Sequence, residues 1–132
     1  MANETGKETK DGGGGENEVT VLQSYTYSTF APKNKEFQYE EVRIEIKSNG
    51  RALVMIRNRT EEDEIVMEYE GPYFRYGNDC ELQAKTRTTT TFDVVLGAGE
   101  KMPPEDCDDT ILFSIDESTK SASFADYTLS LR

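Results

Sequence analysis

The sequence predicts an all-β fold, a single antiparallel β-sandwich or small β-barrel of about eight strands, on three observations. β-branched and aromatic residues recur at alternate positions over most of the chain. The pair Asn49-Gly50 sits between two alternating runs, a strong short-range hairpin signal. Finally, no window sustains the i, i+3, i+4 apolar spacing of an amphipathic helix.

Residues 1–17 (MANETGKETKDGGGGEN) stand apart from this texture. They are polar, hold four consecutive glycines and offer too little apolar surface to offset ordering entropy, so a disordered tail is expected there. The all-β domain is expected to occupy 18–132. Its first strand begins after Glu18, where Val19, Val21, Gln23, Tyr25 and Tyr27 alternate with Thr20, Leu22, Ser24, Thr26 and Ser28. Ala31 to Lys35, with Pro32 and Asn34, reads as a turn.

Phe37 to Lys47 and Arg51 to Arg57 form the clearest hairpin. A two-residue turn at Asn49-Gly50 would set Ser48 opposite Arg51, Ile46 opposite Leu53 and Ile44 opposite Met55, with these apolar residues facing inward. Asn58 to Glu64 is expected as a charged turn and Ile65 to Glu70 as a strand broken by Gly71-Pro72. Tyr73 to Tyr76 then forms a short aromatic strand or turn ended by Gly77-Asn78. Glu81 to Leu96 reads as one long strand or two, with Thr86, Thr88, Thr90, Phe92 and Val94 on one face. Gly97 to Asp109 reads as a loop, Thr110 to Asp116 as a strand with Ile111, Phe113 and Ile115 inward, and Ser121 to Leu131 as the last strand.

Charge and composition narrow the function. With 26 acidic and 15 basic residues the net charge is -11, which repels nucleic-acid phosphate and anionic lipid. Neither nucleic acid nor membrane is therefore an expected partner. There is no histidine, which removes any Ser-His-Asp or Cys-His site and any imidazole-dependent zinc site within this sequence. Cys80 and Cys107 are not a C-x-x-C pair; they are free thiols or one disulfide, with free thiols the preferred reading. No phosphate-binding glycine loop, nucleophile elbow or dinucleotide fingerprint occurs, so neither a cofactor nor catalysis is expected. No apolar leader or membrane-length run is visible, which favours an intracellular location; a secreted chain whose signal was removed is the alternative.

Two segments are the candidate contact surfaces. Tyr69, Tyr73, Phe74, Arg75 and Tyr76 crowd four rings and a guanidinium around a chain break, a composition suited to stacking on sugar, proline or a partner's cation. Arg43, Lys47 and Arg51, followed by Arg57 and Arg59, put a basic hairpin on an acidic body. The function expected is non-enzymatic binding of a protein, peptide or saccharide through these surfaces. One alternative is an acidic inhibitor or nucleic-acid mimic using Glu61 to Glu64 and Glu105 to Asp109; another is a small hydrolase using a carboxylate pair. The acids at 105–109 lack the spacing of a calcium loop, so no metal site is expected. Long strand edges are compatible with a homo-oligomer.

Overall fold

The computed structural model describes residues 18–132; the tail expected over 1–17 lies outside them. The described chain forms β1 (Val21–Thr29), β2 (Tyr39–Lys47), β3 (Arg51–Arg59), β4 (Asp63–Tyr76), β5 (Asp79–Asp93), β6 (Ala98–Lys101), β7 (Glu105–Asp116), β8 (Ser121–Phe124) and β9 (Tyr127–Leu131). Every pairing is antiparallel. The strand order is β4-β3-β2-β1-β9-β8-β7-β5-β6, and β4 also pairs with β5. That extra pairing closes the sheet into a ring, so of the two expected architectures the chain adopts the barrel.

β6 lies outside the ring. It pairs with the far part of β5, Thr90 to Asp93, and β7 takes over the same edge of β5 from Arg87 to Asp79. Between them stand Pro103 and Pro104, which have no N–H to give the ladder. The loop expected over 97–109 is therefore strand on both sides of a short break. Its Gly- and acid-rich composition signals a loop, but the long β5 offers a partner that overrides it.

Four further boundaries differ from expectation. β3 runs to Arg59 and β4 starts at Asp63, because Arg59 and Glu64 face each other and pair at 3.0 Å. Gly71-Pro72 does not break β4; it forms a bulge in the β4–β5 register between Glu70 and Tyr73. Gly71 is needed there, since a Cβ would collide with the Gln83 carbonyl oxygen. The last segment folds back on itself as β8 and β9 across a turn whose Ala125 has φ 51°, a left-handed conformation no glycine announces.

The fourth difference is the register of the central hairpin. Ile46 faces Ala52, Ile44 faces Val54 and Val42 faces Ile56. The connection is thus Ser48-Asn49-Gly50, with Gly50 at φ 77°, a loop one residue longer than expected. One residue of slip exchanges the faces of β3. Ala52 and Val54 are buried in the barrel beside Ile44 and Ile46, while Leu53 and Met55 sit on the outer row with Arg43 and Glu45. Met55 is still buried, beneath the long charged side chains of that row.

The barrel interior is filled by Tyr25, Ile44, Val54, Leu82, Ile115 and Leu129, among others, all essentially inaccessible. Each such large side chain contributes about 1.5–3 kcal/mol by leaving water. The turns at 48–50, 77–78 and 117–120 share one end of the barrel, and backbone bonds bind that end together, including Tyr73 N–H to Gly50 O at 3.2 Å and Ile115 N–H to Asn78 O at 2.8 Å. The opposite end carries the β1–β2, β3–β4, β5–β6 and β8–β9 connections, and inward Ile56, Tyr69, Ile111 and Phe124 toward it are only half-buried.

Candidate binding site

The basic hairpin meets its own carboxylates. Arg43 pairs with Glu41 at 2.7 Å, Lys47 with Glu70 at 3.0 Å, Arg51 with Glu70 at 3.7 Å, and Arg57 with Glu41 at 3.3 Å. The structure therefore places Arg43, Lys47 and Arg51 on one outer face, engaged in a cross-strand charge network. Glu41 is its deepest member, only 5% exposed, and also accepts from the Tyr39 hydroxyl at 3.0 Å. A shallow groove of about 250 Å³ runs between Arg43, Leu53, Met55, Arg57, Glu68 and Thr90. Thr86, Thr88 and Thr90 lie on this outer row as expected, opposite Glu70, Glu68 and Val66.

The aromatic segment is divided by the alternation of β4. Tyr69 and Tyr73 pack against the core. Phe74 and Tyr76 point outward, and Tyr76 is 70% exposed. Arg75 belongs to the filled end, where its Nε donates to the Gly77 carbonyl at 2.9 Å and its guanidinium pairs with Glu117 at 3.0 Å. Near this pair, burial, the first cause, and the Glu117 charge push the Tyr25 hydroxyl pKa up.

Of the expected residues, Tyr69 reaches the open end of the barrel. There Ile56, Tyr69, Asp109, Thr110, Ile111 and Phe124 line a shallow, open hollow of about 330 Å³. Beside it Tyr127 packs on Phe124, ring centroids 6.4 Å apart, and on Tyr27 at 5.3 Å. The Tyr127 hydroxyl donates to Glu40 at 2.6 Å. Hydrogen bonding to that carboxylate, then burial, pushes the Tyr127 pKa up to about 12. Asn58 follows Ile56 on the inward row of β3, and its Oδ1 is buried without a hydrogen-bond partner among the described residues. Across the strands from Tyr69 stands Arg87, paired with Glu105 at 2.8 Å.

Sequence reasoning missed Tyr27, Glu40, Phe124 and Tyr127. Tyr127 and Glu40 are 87 residues apart, and only ring closure joins them. The acids at 105–109, expected together in a loop, alternate along β7: Asp106 and Asp108 face outward, Glu105 and Asp109 inward. Among the described residues no group of three histidine, cysteine, aspartate or glutamate side chains converges as metal ligands would.

Cys80 and Cys107 are separate free thiols. Cys80 is buried, which raises its pKa above that of an ordinary thiol. Cys107 is half-buried and directs its sulfur at the Ala84 carbonyl.

The fold and the site together define an open-ended antiparallel β-barrel with an aromatic rim. No protein-family model, curated protein or solved structure matches the chain. Among the described residues no helix is long and apolar enough to cross a membrane.

Proposed function

We propose that this protein is a non-catalytic binding protein that takes an amphipathic ligand, a peptide or a saccharide, at the open end of its barrel. The observation that carries this reading is the uneven filling of the interior. At one end the turns are stitched together and inward Ile46, Phe113 and Ile115 are buried; the other opens on half-buried Tyr69, Phe124, Ile56 and Ile111 with Asp109 on the same lining. Concave, mainly apolar linings with a few convergent polar groups are where small ligands bind. The rings supply flat stacking surfaces, and Asp109 on the lining accepts from amide or hydroxyl donors. The expected Tyr-rich surface contributes through Tyr69, with exposed Phe74 and Tyr76 forming a separate outward patch. The engaged state of Arg43, Lys47 and Arg51 makes the basic hairpin the weaker contact candidate. The lack of histidine and the raised pKa of Cys80 support a non-enzymatic role. Two unpaired thiols fit a reducing, intracellular setting.

The test is an NMR titration with a panel of short peptides and oligosaccharides. Shifts are expected to cluster at Ile56, Tyr69, Ile111 and Phe124, and Phe124→Ala should weaken the best binder about tenfold. Shifts confined to Arg43, Lys47 and Arg51, or to Phe74 and Tyr76, would move the site elsewhere. No shift with any member of the panel would remove the reading.

A further inference from the structure

We propose that the bare edge of β7 receives an extended peptide strand bearing alternate lysine or arginine residues, donated by another protein, so that the sheet grows by strand addition. The inference goes beyond the mouth reading and survives that reading's failure, because an extended strand on this edge need not enter the hollow.

The argument begins with strand lengths. β7 holds twelve residues and β8 only four. On one side β7 is paired with β5 from Glu105 to Ser114; on the other β8 reaches only Ser114, Ile115 and Asp116. Among the described residues, Glu105 to Phe113 therefore has no strand on its second edge. At about 3.4 Å per residue, this is roughly 30 Å of unpaired alternating N–H and C=O groups. Glu105, Asp106 and Asp108 to Thr110 are exposed, and so is Leu112 at 65%. A long accessible edge of this kind is a template for another strand, and main-chain hydrogen bonding would supply the affinity.

Side chains select the occupant. On the outward row stand Asp106 and Asp108; Asp108 already pairs with Lys85 at 3.0 Å, and Asp106 is in none of the ion pairs among the described residues. The inward row runs Glu105, already paired with Arg87 at 2.8 Å, then Cys107, Asp109 and Ile111, with Phe124 beside Ile111 at the rim of the hollow. An added strand aligns its side chains with these rows. It is therefore matched by cationic residues beside Asp106 and Asp108 on the outer face and by apolar ones beside Cys107 and Ile111 on the inner, at period two, with an apolar residue also fitting exposed Leu112. A second copy of this chain is a poor occupant, since two β7 edges side by side would set carboxylates against carboxylates.

The probe is a synthetic peptide of alternating lysine and valine, followed by fluorescence anisotropy at low salt. Its control is a block isomer with all lysines before all valines, which has the same charge but no matching period. Expected results are saturable binding of the alternating peptide, weakening with salt, and much weaker binding of the isomer. Asp106→Lys with Asp108→Lys should cost about tenfold or more in affinity, whereas Glu36→Lys with Glu61→Lys, an equal charge change on distant turns, should leave it within about twofold. In the unaltered chain, hydrogen exchange of amides between Glu105 and Leu112 should slow when peptide is present; this measurement decides even where a variant misfolds. The proposal is overturned by no binding, by equal binding of the block isomer, by equal loss in the distant variant, or by protection that falls outside β7.

Discussion

The hydroxyl of Tyr127 donates to Glu40 at 2.6 Å, and its pKa stands at about 12. An unfolded tyrosine ionises near 10. The folded state thus holds the proton more tightly than the unfolded one. The stability this contributes is whole below pH of about 10 and is lost as pH rises through about 12. Tyr25 and Tyr39 are also shifted upward, so spectrophotometric titration at alkaline pH should show several of the seven tyrosines ionising late with Tyr127 among them, and Tyr127→Phe should remove the step near 12. The same variant should cost about 1–2 kcal/mol at neutral pH, measured by urea unfolding, because a carboxylate loses its donor. Gly71 is a second position where one atom decides. Gly71→Ala sets a methyl against the Gln83 backbone carbonyl, which cannot swing away as a side-chain end can. A loss of about 2 kcal/mol or more is expected; unchanged stability would mean that the bulge relaxes freely. Residue chemistry was legible where it is local. Tyr69 stands out in the sequence as part of an aromatic run and does reach the rim. Glu40 and Tyr127 do not stand out, because nothing local marks a contact made across the closing seam.

Alternation made the strands readable, and it did so best where one face meets the interior: Val42, Ile44 and Ile46 in β2, and Ile111, Phe113 and Ile115 in β7, fall inward as their spacing predicts. Register is harder. Gly50 supplies the positive φ that both a two-residue and a three-residue loop require, so Asn49-Gly50 locates the hairpin without fixing its phase. Both faces of β3 are partly apolar, Ala52, Val54 and Ile56 against Leu53 and Met55, so pattern could not choose either. Packing supplies the missing information: small Ala52 lies opposite Gly71 on β4, and the outer row is covered by the Arg43 and Arg57 side chains. The two registers differ in a measurable way. Val54→Ala should cost about 1–3 kcal/mol in urea unfolding, while Leu53→Ala on the half-covered outer row should cost less than about 1 kcal/mol. The reverse order would restore the two-residue turn. β6 and the first half of β7 failed to read as strands for a different reason. Their glycines, prolines and acids describe an element with water on most sides, and it becomes strand only because β5 continues past the barrel.

At the scale of the whole molecule, closure rests on a narrow seam. β4 and β5 pair along their full length, whereas β1 and β9 share only Tyr25–Leu131 and Thr26–Ser130, with a further bond from Arg132 N–H to Ser24 O at 2.7 Å. The ring is thus a well-paired β1–β2–β3–β4–β5–β7 sheet bridged by the small β8–β9 hairpin, which β7 in turn holds by only three residue pairs. Those few residues hold Tyr127 against Tyr27 and Glu40, so the rim and the seam share a single support. Removing Ser130 to Arg132 should leave most of the β2–β3–β4–β5 ladder intact while opening the seam. Hydrogen exchange is expected to accelerate in β1 and in β8–β9 with little change in the central amides of β3 and β4. The tyrosine step near 12 should vanish with it, because Tyr127 would no longer be held to Glu40. Uniform acceleration across every strand would show instead that the barrel opens only as one cooperative unit, and that the seam is as strong a joint as any other.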